Sequence, residues 1–213
     1  MGLFDVLKNS LKNQATQSIN SAVNSAGRQA ANSIGTAVGN AAKKAVSNAS
    51  LKKETFTFAA LPTGVEQLKA MPEADCATPF KTAALTVAVL CHYGTDPAAT
   101  VEMLNVLKGP QPLSPREIQF LQDRLKGRDY LPKSFFAGTS PQNNYTPATP
   151  YTITVSEYAY SYQHEGYCTL ELISSGADSP RQIQLRRKGE QWFLWENYLL
   201  SDIRIPVAEA IWA

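Results

Sequence analysis

Cysteine and histidine are the side chains of this chain that could act as a nucleophile and a base. The sequence contains three cysteines and two histidines. Cys91 and His92 are adjacent, and adjacent residues of a helix point about 100° apart, so these two are poorly placed to form a catalytic pair. Cys168 and His164 would meet only across a turn. We interpret the cysteines as buried structural residues and the histidines as surface residues.

Carboxylates and glycine-rich loops predict no site either. Glu157, Glu165 and Glu171 lie on or near neighbouring predicted strands, but carboxylates on an exposed sheet face are usually only solvated. The chain lacks the glycine spacing of phosphate-binding loops and the spacing of zinc ligands. We therefore predict no catalytic, cofactor-binding or metal-ligating residue, and we expect a protein that is not an enzyme and uses no cofactor.

Three alternating tyrosines are the surface feature with the clearest binding chemistry. Tyr158, Tyr160 and Tyr162 have the period of two that places side chains on one face of a strand. A basic and an aromatic residue from neighbouring strands would complete a platform for a peptide, a glycan or a single-stranded nucleic acid. Alternatively, the tyrosines only pack under helices or pair across strands. The candidates for the two partners are Arg186 or Arg187 and Trp192 or Trp195.

Residues 64–126, which precede these strands, are predicted to form a helical subdomain. A threonine, aspartate or serine followed by proline begins three of the helices, because these side chains cap a helix and proline is favoured in its first turn. The first helix ends near Tyr93 and is apolar nearly all round, which predicts a place in the core. The three pairs are Thr78-Pro79, Asp96-Pro97 and Ser114-Pro115.

Beyond a polar loop at residues 138–150, the pattern changes to a period of two. Short turns separate four predicted strands, and short turns join antiparallel neighbours. The sequence therefore predicts an α+β fold with a long N-terminal amphipathic helix, a small helical subdomain and an antiparallel four-stranded β-meander at about residues 151–200. Glu54–Phe58 also alternates, as either a short strand or the exit from a helix. The four strands are Tyr151–Tyr162, Tyr167–Ser174, Gln182–Lys188 and Gln191–Tyr198.

Residues 1–53 carry an apolar stripe at helical spacing, ahead of a globular domain at residues 54–213. The stripe recurs at intervals of three or four residues from Phe4 to Ala49, among serine, asparagine and glutamine. This pattern predicts a basic amphipathic helical arm that lies on a membrane surface, on a partner protein or on copies of itself. Its bulky end would make the membrane or partner contact, through Leu3, Phe4, Leu7, Lys8, Leu11 and Lys12.

Charge is unevenly distributed between the arm and the domain. Residues 1–53 contain seven basic residues and one acidic residue, a net charge of +6, whereas residues 54–213 contain thirteen basic and seventeen acidic residues, a net charge of −4. A basic arm favours an anionic partner. Because seven cations in 53 residues make a dilute field, we favour an anionic membrane surface and consider nucleic acid an unfavoured partner.

Small residues support a second interpretation of the arm. Gly27, Gly35 and Gly39 would let two helices approach closely, and the last two have the small-xxx-small spacing of helix pairs. The arm would then associate with itself, giving a homo-oligomer, or pack on a partner protein. A third interpretation is a weakly structured tail, because glycine, asparagine and serine lower helix stability.

The composition indicates a cytoplasmic protein, at the inner face of the membrane if the arm binds lipid. Three cysteines without paired spacing do not suggest a disulfide framework. Residues 1–5 do not have the pattern of a secretory signal. The most apolar stretch, Ala83–Cys91, is nine residues long and too short to span a bilayer.

The C-terminal run Gln184–Glu196, together with Ile205-Pro206-Val207 and Trp212-Ala213, resembles an uncharacterised domain-of-unknown-function family of gut Firmicutes. The resemblance extends over about residues 55–213. Met1–Asp5 is also similar to the start of small bacterial proteins with amphipathic N-terminal helices. Both resemblances imply a bacterial protein, and neither implies an activity or a site.

These patterns lead us to expect a non-enzymatic bacterial adaptor or scaffold that associates peripherally with a membrane through its N-terminal helix. The alternative is an oligomerising or protein-docking module whose N-terminal helix packs on protein. A third hypothesis is a small-ligand binder or an enzyme that uses the crevice between helices and sheet. That hypothesis requires a deep pocket in which titratable residues converge.

Overall fold

The computed structural model describes residues 51–209. The predicted N-terminal helix, with its membrane-contact and self-association residues, lies outside this part of the chain. The described strands are β1 (Lys53–Phe58), β2 (Tyr151–Ser156), β3 (Tyr167–Leu172), β4 (Arg181–Lys188) and β5 (Gln191–Asn197). The described helices are α1 (Val65–Lys69), α2 (Pro79–Leu90), α3 (Pro97–Lys108), α4 (Pro115–Leu125) and α5 (Tyr130–Lys133).

The sheet is antiparallel and has five strands in the order β1-β2-β3-β4-β5. The predicted four-stranded meander is therefore wrong, because β1 joins the sheet beside β2. Phe56 and Phe58 of β1 are buried, whereas the threonines between and before them are exposed. Thr57 and Thr152 face each other across this strand pair although they are 95 positions apart in the sequence. A pairing of this range leaves no local signal, and the helix-exit interpretation of the segment is excluded.

Strand β2 ends at Ser156 rather than at Tyr162. After it the chain turns: the Ser161 amide donates to the Tyr158 carbonyl at 3.1 Å, and the Tyr158 amide donates to the Ser161 hydroxyl at 2.9 Å. The prediction that Tyr158, Tyr160 and Tyr162 share one face of a strand is therefore wrong. Their alternation belongs to the loop at residues 157–166, where a serine side chain satisfies the backbone in place of a strand partner.

Side-chain caps begin the three longer helices, which confirms the prediction from the proline pairs. Thr78, Asp96 and Ser114 each accept a hydrogen bond from the backbone amide three residues later. Ser114 also forms a reciprocal capping box with Glu117. Caps depend on neighbouring residues alone, so the sequence is sufficient to locate these helix starts.

Helix α2 occupies the centre of the core. All of its residues except Lys81 are buried, as the apolar sequence of this helix predicts. It contacts all five strands and lies beside α3. Since side chains of a strand alternate between two faces, the face of β3 and β4 turned away from α2 carries polar residues. Among them are Thr169, Gln182 and Gln184, which are only partly buried.

The loop at residues 138–150 is fastened to the domain by one aromatic side chain. Tyr145 is fully buried, and its ring stacks on Tyr130 with the ring centres 5.4 Å apart. Its hydroxyl donates to the Arg204 carbonyl at 2.7 Å. A polar, proline-rich sequence thus predicts the loop, while the buried tyrosine gives it a fixed place.

Candidate ligand-binding surface

A crevice of about 440 Å³ lies between α3, α4 and β5. Most of its surface is apolar, with Leu104, Phe120 and Leu194 from the three elements. This is the helix–sheet crevice of the third hypothesis, and titratable residues do converge in it. The charged residues that line it are Lys108, Arg116, Glu117 and Glu196.

Two charged side chains of the crevice, Lys108 and Glu117, are engaged in hydrogen bonds that stabilise the fold. Lys108 Nζ donates to Glu117 Oε1 at 2.5 Å and to the Trp195 carbonyl at 3.3 Å, and its side chain is only 5% exposed. Glu117 Oε2 accepts from the Ser114 amide at 2.7 Å and from the Ser114 hydroxyl at 2.6 Å. Burial opposes ionisation of Glu117, but the hydrogen bonds from Lys108 and Ser114 outweigh it and lower the pKa of the carboxyl. We interpret this ion pair as a structural contact that holds α4 against α3 and β5.

A second concave surface, of about 390 Å³, lies on the outer face of β3 and β4. We call it the outer-face groove. The strands contribute hydroxyl and amide side chains, and the loop at residues 157–166 contributes much of the rest. Of the described residues that line the groove, none is an aspartate, glutamate, lysine or arginine. They are the tyrosines Tyr158, Tyr160, Tyr167 and Tyr198, with Ser161, Gln163, His164, Thr169, Gln182 and Gln184.

Cross-strand hydrogen bonds hold the two floor amides in place. Gln184 Nε2 donates to Thr169 Oγ1 at 3.2 Å, and Gln182 Nε2 donates to Glu171 Oε1 at 3.2 Å. A primary amide has two donor hydrogens and one acceptor oxygen. Each of these amides makes a single side-chain hydrogen bond within residues 51–209, so one N–H and the oxygen remain for a ligand.

The loop at residues 157–166 is attached to the sheet and presents aromatic rings. The Thr169 amide donates to the Ser161 carbonyl at 2.8 Å, which joins the loop to β3. Tyr158 and Tyr160 pack edge to face with ring centres 6.0 Å apart, and Tyr160 is 63% exposed. Tyr162 is absent from the groove lining, and its hydroxyl donates to Glu157 Oε1 at 3.0 Å. The structure thus brings two of the three predicted tyrosines together at the groove.

An arginine lies over two aromatic rings beside the groove. The Arg186 guanidinium carbon is 4.6 Å from the centre of the Trp195 ring and 5.4 Å from the centre of the Tyr167 ring. The two rings pack edge to face at 5.8 Å. Of the partners that the sequence leaves open, Arg186 and Trp195 therefore form an aromatic–basic contact, whereas Trp192 packs against the core. Tyr167 is the third residue of this contact, and it was not among the residues predicted from the sequence.

Burial makes the thiols poor nucleophiles. Desolvation raises the pKa of Cys168 and that of Cys91 to about 12, and it also raises the pKa of Cys76. A reactive cysteine requires the opposite shift, because the thiolate is the attacking species. These shifts agree with the interpretation of the cysteines as structural residues.

Within residues 51–209, no group of three or more histidine, cysteine, aspartate or glutamate side chains is placed to hold a metal ion. None of the helices in that range is both long and apolar enough to cross a bilayer. The predicted contacts of Leu3, Phe4, Leu7, Lys8, Leu11 and Lys12 and the self-association of Gly27, Gly35 and Gly39 concern residues outside the range and stay predictions.

The groove residues that sequence reasoning missed have a faint signal. Thr169 and Tyr167 alternate on β3, as do Gln182 and Gln184 on β4. A period of two predicts that each set shares a face. Which residues of β3 lie beside which residues of β4 depends on the register, which pairs Tyr167 with Arg186 and Thr169 with Gln184. This register cannot be predicted from the sequence of either strand alone.

Comparison with known proteins gives a family without an activity. The model of a family described as a domain of unknown function (DUF6935) matches residues 60–207. The search of curated proteins and the search of solved structures each returned no match. The resemblance to a domain-of-unknown-function family is confirmed at this level, while its narrower form, a family of gut Firmicutes, stays a prediction.

Proposed function

Because the chain belongs to the DUF6935 family, whose description carries no activity, we propose a function from the geometry of residues 51–209: the domain is a non-enzymatic module that binds a carbohydrate in the outer-face groove. One observation carries the proposal. Tyrosine rings and outward-facing amides line a single concave surface that has no charged residue among its described lining.

A carbohydrate fits this lining because a sugar ring has an apolar C–H face and an edge of hydroxyl groups. Exposed aromatic rings such as that of Tyr160 offer an amphipathic surface to the apolar face. The amides of Gln182 and Gln184 offer both donors and acceptors to hydroxyl groups, which are themselves donors and acceptors. Concave sites with a few well-placed polar groups among aromatic residues are the usual form of a small-ligand site.

The same lining disfavours two other classes of ligand. Single-stranded nucleic acid requires a cationic groove that follows the phosphates, whereas this groove is uncharged and residues 54–213 carry a net charge of −4. A peptide that adds a strand requires a free sheet edge. The groove lies instead on the face of β3 and β4, which pair with each other along their lengths.

The test is binding of the full chain to a glycan array, followed by calorimetry with the oligosaccharides that bind. The double substitution Gln182→Ala/Gln184→Ala removes two hydrogen-bonding amides. At about 1 kcal/mol for each hydrogen bond, the affinity is expected to fall about 30-fold. Gln122→Ala, an exposed glutamine of α4, is the matched control and is expected to bind as the wild type does.

A second pair of variants separates the aromatic contribution from general surface effects. Tyr160→Ala removes an exposed ring that lines the groove, and Tyr162→Ala removes an exposed ring that does not. Weakened glycan binding in Tyr160→Ala alone supports the proposal. An array without glycan binding, or binding of single-stranded oligonucleotides instead, contradicts it.

The arm gives a second candidate function, supported by its apolar stripe and its net charge of +6. We propose that residues 1–53 attach the protein peripherally to an anionic membrane surface, at its cytoplasmic face, so that the chain acts as an adaptor. Full-length protein would co-sediment with vesicles that contain anionic lipid, and Phe4→Asp/Leu7→Asp would not. Equal co-sedimentation of the two contradicts the membrane proposal, and concentration-dependent assembly lost in the same variant selects the self-association alternative.

A further inference from the structure

The contact of Arg186 with Trp195 and Tyr167 points to the chemistry of the carbohydrate. Resting on the proposed function, we infer that Arg186 binds an anionic substituent, a carboxylate or a sulfate group, of a sugar chain that lies in the outer-face groove. The groove would hold the uncharged part of the ligand, and the arginine would hold its charge.

Arg186 stands at the end of the groove. It follows Gln184 by two residues on β4, so the two side chains share a face and are separated by ~7 Å along the strand. Across the strands it is paired with Tyr167, which lines the groove. A ligand that contacts Gln184 and Tyr167 therefore reaches Arg186 by extending along β4.

The guanidinium of Arg186 is oriented but not bonded. Contact with two rings restricts its position, and cation–π contacts leave the N–H donors at its edge available. Within residues 51–209, no carboxylate forms an ion pair with it and its guanidinium donates no hydrogen bond. Other arginines differ: Arg181 donates to the Ser201 and Asp202 carbonyls, and Arg204 pairs with Asp178.

The surroundings of Arg186 favour an oxyanion such as a carboxylate or a sulfate group. Arg186 also lines a cavity of about 410 Å³ together with Arg187 and Lys188, with no acidic residue among its described lining. Lys108 lines this cavity as well, but its charge is paired with Glu117. Such a field attracts anions. The guanidinium fork matches oxyanions with two oxygens on one side, such as carboxylate and sulfate. Because Arg186 lies at one end of an uncharged groove, it favours a ligand whose charge is localised over a polyanion.

The experiment measures the affinity of the full chain for matched sets of oligosaccharides on the array. Each set contains a uronate form, its methyl ester, a sulfated form and the neutral parent. The wild type is expected to bind a charged form at least about tenfold more tightly than its neutral counterpart. The preferred form, uronate or sulfated, identifies the substituent. The preference is expected to weaken as sodium chloride is added, because the contact is exposed.

Arg186→Gln is expected to remove this preference while the neutral parent binds within about twofold of the wild-type affinity. Arg186→Lys keeps the charge without the fork and is expected to retain only part of the preference. Arg124→Gln is the matched control, since Arg124 also lies over an aromatic ring, that of Phe120 on α4, away from the groove. It is expected to keep the full preference.

The two proposals fail in distinguishable ways. If the wild type binds charged and neutral forms equally, or if Arg186→Gln keeps the wild-type preference, the role of Arg186 is refuted while carbohydrate binding stands. If no sugar chain binds, charged or neutral, the proposed function is refuted and the role of Arg186 with it.

Discussion

Replacing Glu117 by alanine is expected to destabilise the domain far more than replacing its ion-pair partner Lys108 by methionine. Glu117→Ala leaves the ammonium of Lys108, 5% exposed, without its carboxylate, and it also removes half of the capping box with Ser114. Lys108→Met removes the buried charge, and the methionine side chain fills much of the space that the lysine side chain occupied. Glu117 then keeps its bonds from Ser114.

The magnitudes follow from burial. An uncompensated buried charge costs ~3–5 kcal/mol, but the Glu117 side chain is 38% exposed, so water can solvate part of the vacated site and we take about 2 kcal/mol. Loss of the cap adds about 1 kcal/mol. The sum of about 3 kcal/mol corresponds to a fall in Tm of roughly 6–12 °C in a chain of this size. For Lys108→Met we expect about 1 kcal/mol or less, because no charge is left buried.

Urea unfolding followed by circular dichroism measures both changes. Glu66→Ala is the control, since Glu66 forms an ion pair with Lys69 and its side chain is 91% exposed. This change is expected to shift stability by about 0.5 kcal/mol at most. Equal destabilisation by Glu117→Ala and Lys108→Met, or a larger effect of the second, would refute the reasoning that the buried cation sets the cost.

The pH dependence gives a second readout of the same pair. Glu117 has a lowered pKa in the folded domain, against about 4.3 in an unfolded chain. Its contribution is therefore fully present above the unfolded value and is lost as the pH falls through the folded value. The stability gap between the wild type and Glu117→Ala is expected to be largest near neutral pH and to narrow on acidification. A gap that widens toward low pH contradicts the sign of the shift.

Three further outcomes test the packing. Gly109→Ala is expected to cost more than about 2 kcal/mol of stability, because its φ is +61° and an added Cβ would overlap the Phe193 ring. Gly127→Ala, at φ +67° with open space around it, is expected to cost only about 1 kcal/mol. Equal unfolding midpoints of the two variants in urea would contradict this difference. Cys168, with its pKa raised to about 12 by burial, is expected to resist iodoacetamide at pH 8 until urea is added, and alkylation at the rate of a free thiol would contradict its burial. Tyr145→Phe is expected to cost about 1 kcal/mol in thermal unfolding through the hydrogen bond it loses, and an unchanged Tm would count against that bond.

The parts of the fold that the sequence predicts well are those fixed by neighbouring residues. Each longer helix begins at a side chain that caps an amide three residues away. Strand β1 is the opposite case, because its partner β2 follows the whole helical region. Its alternating pattern is visible in the sequence, but membership of the sheet is decided by burial of Phe56 and Phe58 against a core built mainly by later residues.

The groove is harder to predict, since it combines four parts of the fold. Loop 157–166, strands β3 and β4, and Tyr198 each contribute to it. Two of the alternating tyrosines line the groove, but the alternation does not mark a strand. The hydrogen bonds between Tyr158 and Ser161 form a turn where a period of two predicts a strand. Periodicity reports the spacing of side chains and not whether a partner strand exists to receive them.

Whether Trp192 or Trp195 contacts Arg186 depends on a β-bulge, which the sequence pattern does not predict. Between β4 and β5 the register shifts: Leu185 pairs with Leu194, but Gln184 pairs with Glu196. Trp195 is thus the extra residue of a bulge, and bulges commonly redirect a side chain.

The carbonyl of this bulge residue accepts a hydrogen bond from Lys108 Nζ at 3.3 Å. The buried ion pair of the crevice and the aromatic–basic contact of Arg186 therefore meet at one backbone group, that of Trp195. Lys108→Met would remove this hydrogen bond from the bulge, although it is expected to cost the domain only about 1 kcal/mol or less. Lys108 therefore helps to position the Trp195 ring beside Arg186, and with it the proposed recognition of an anion, although Lys108 does not itself line the outer-face groove.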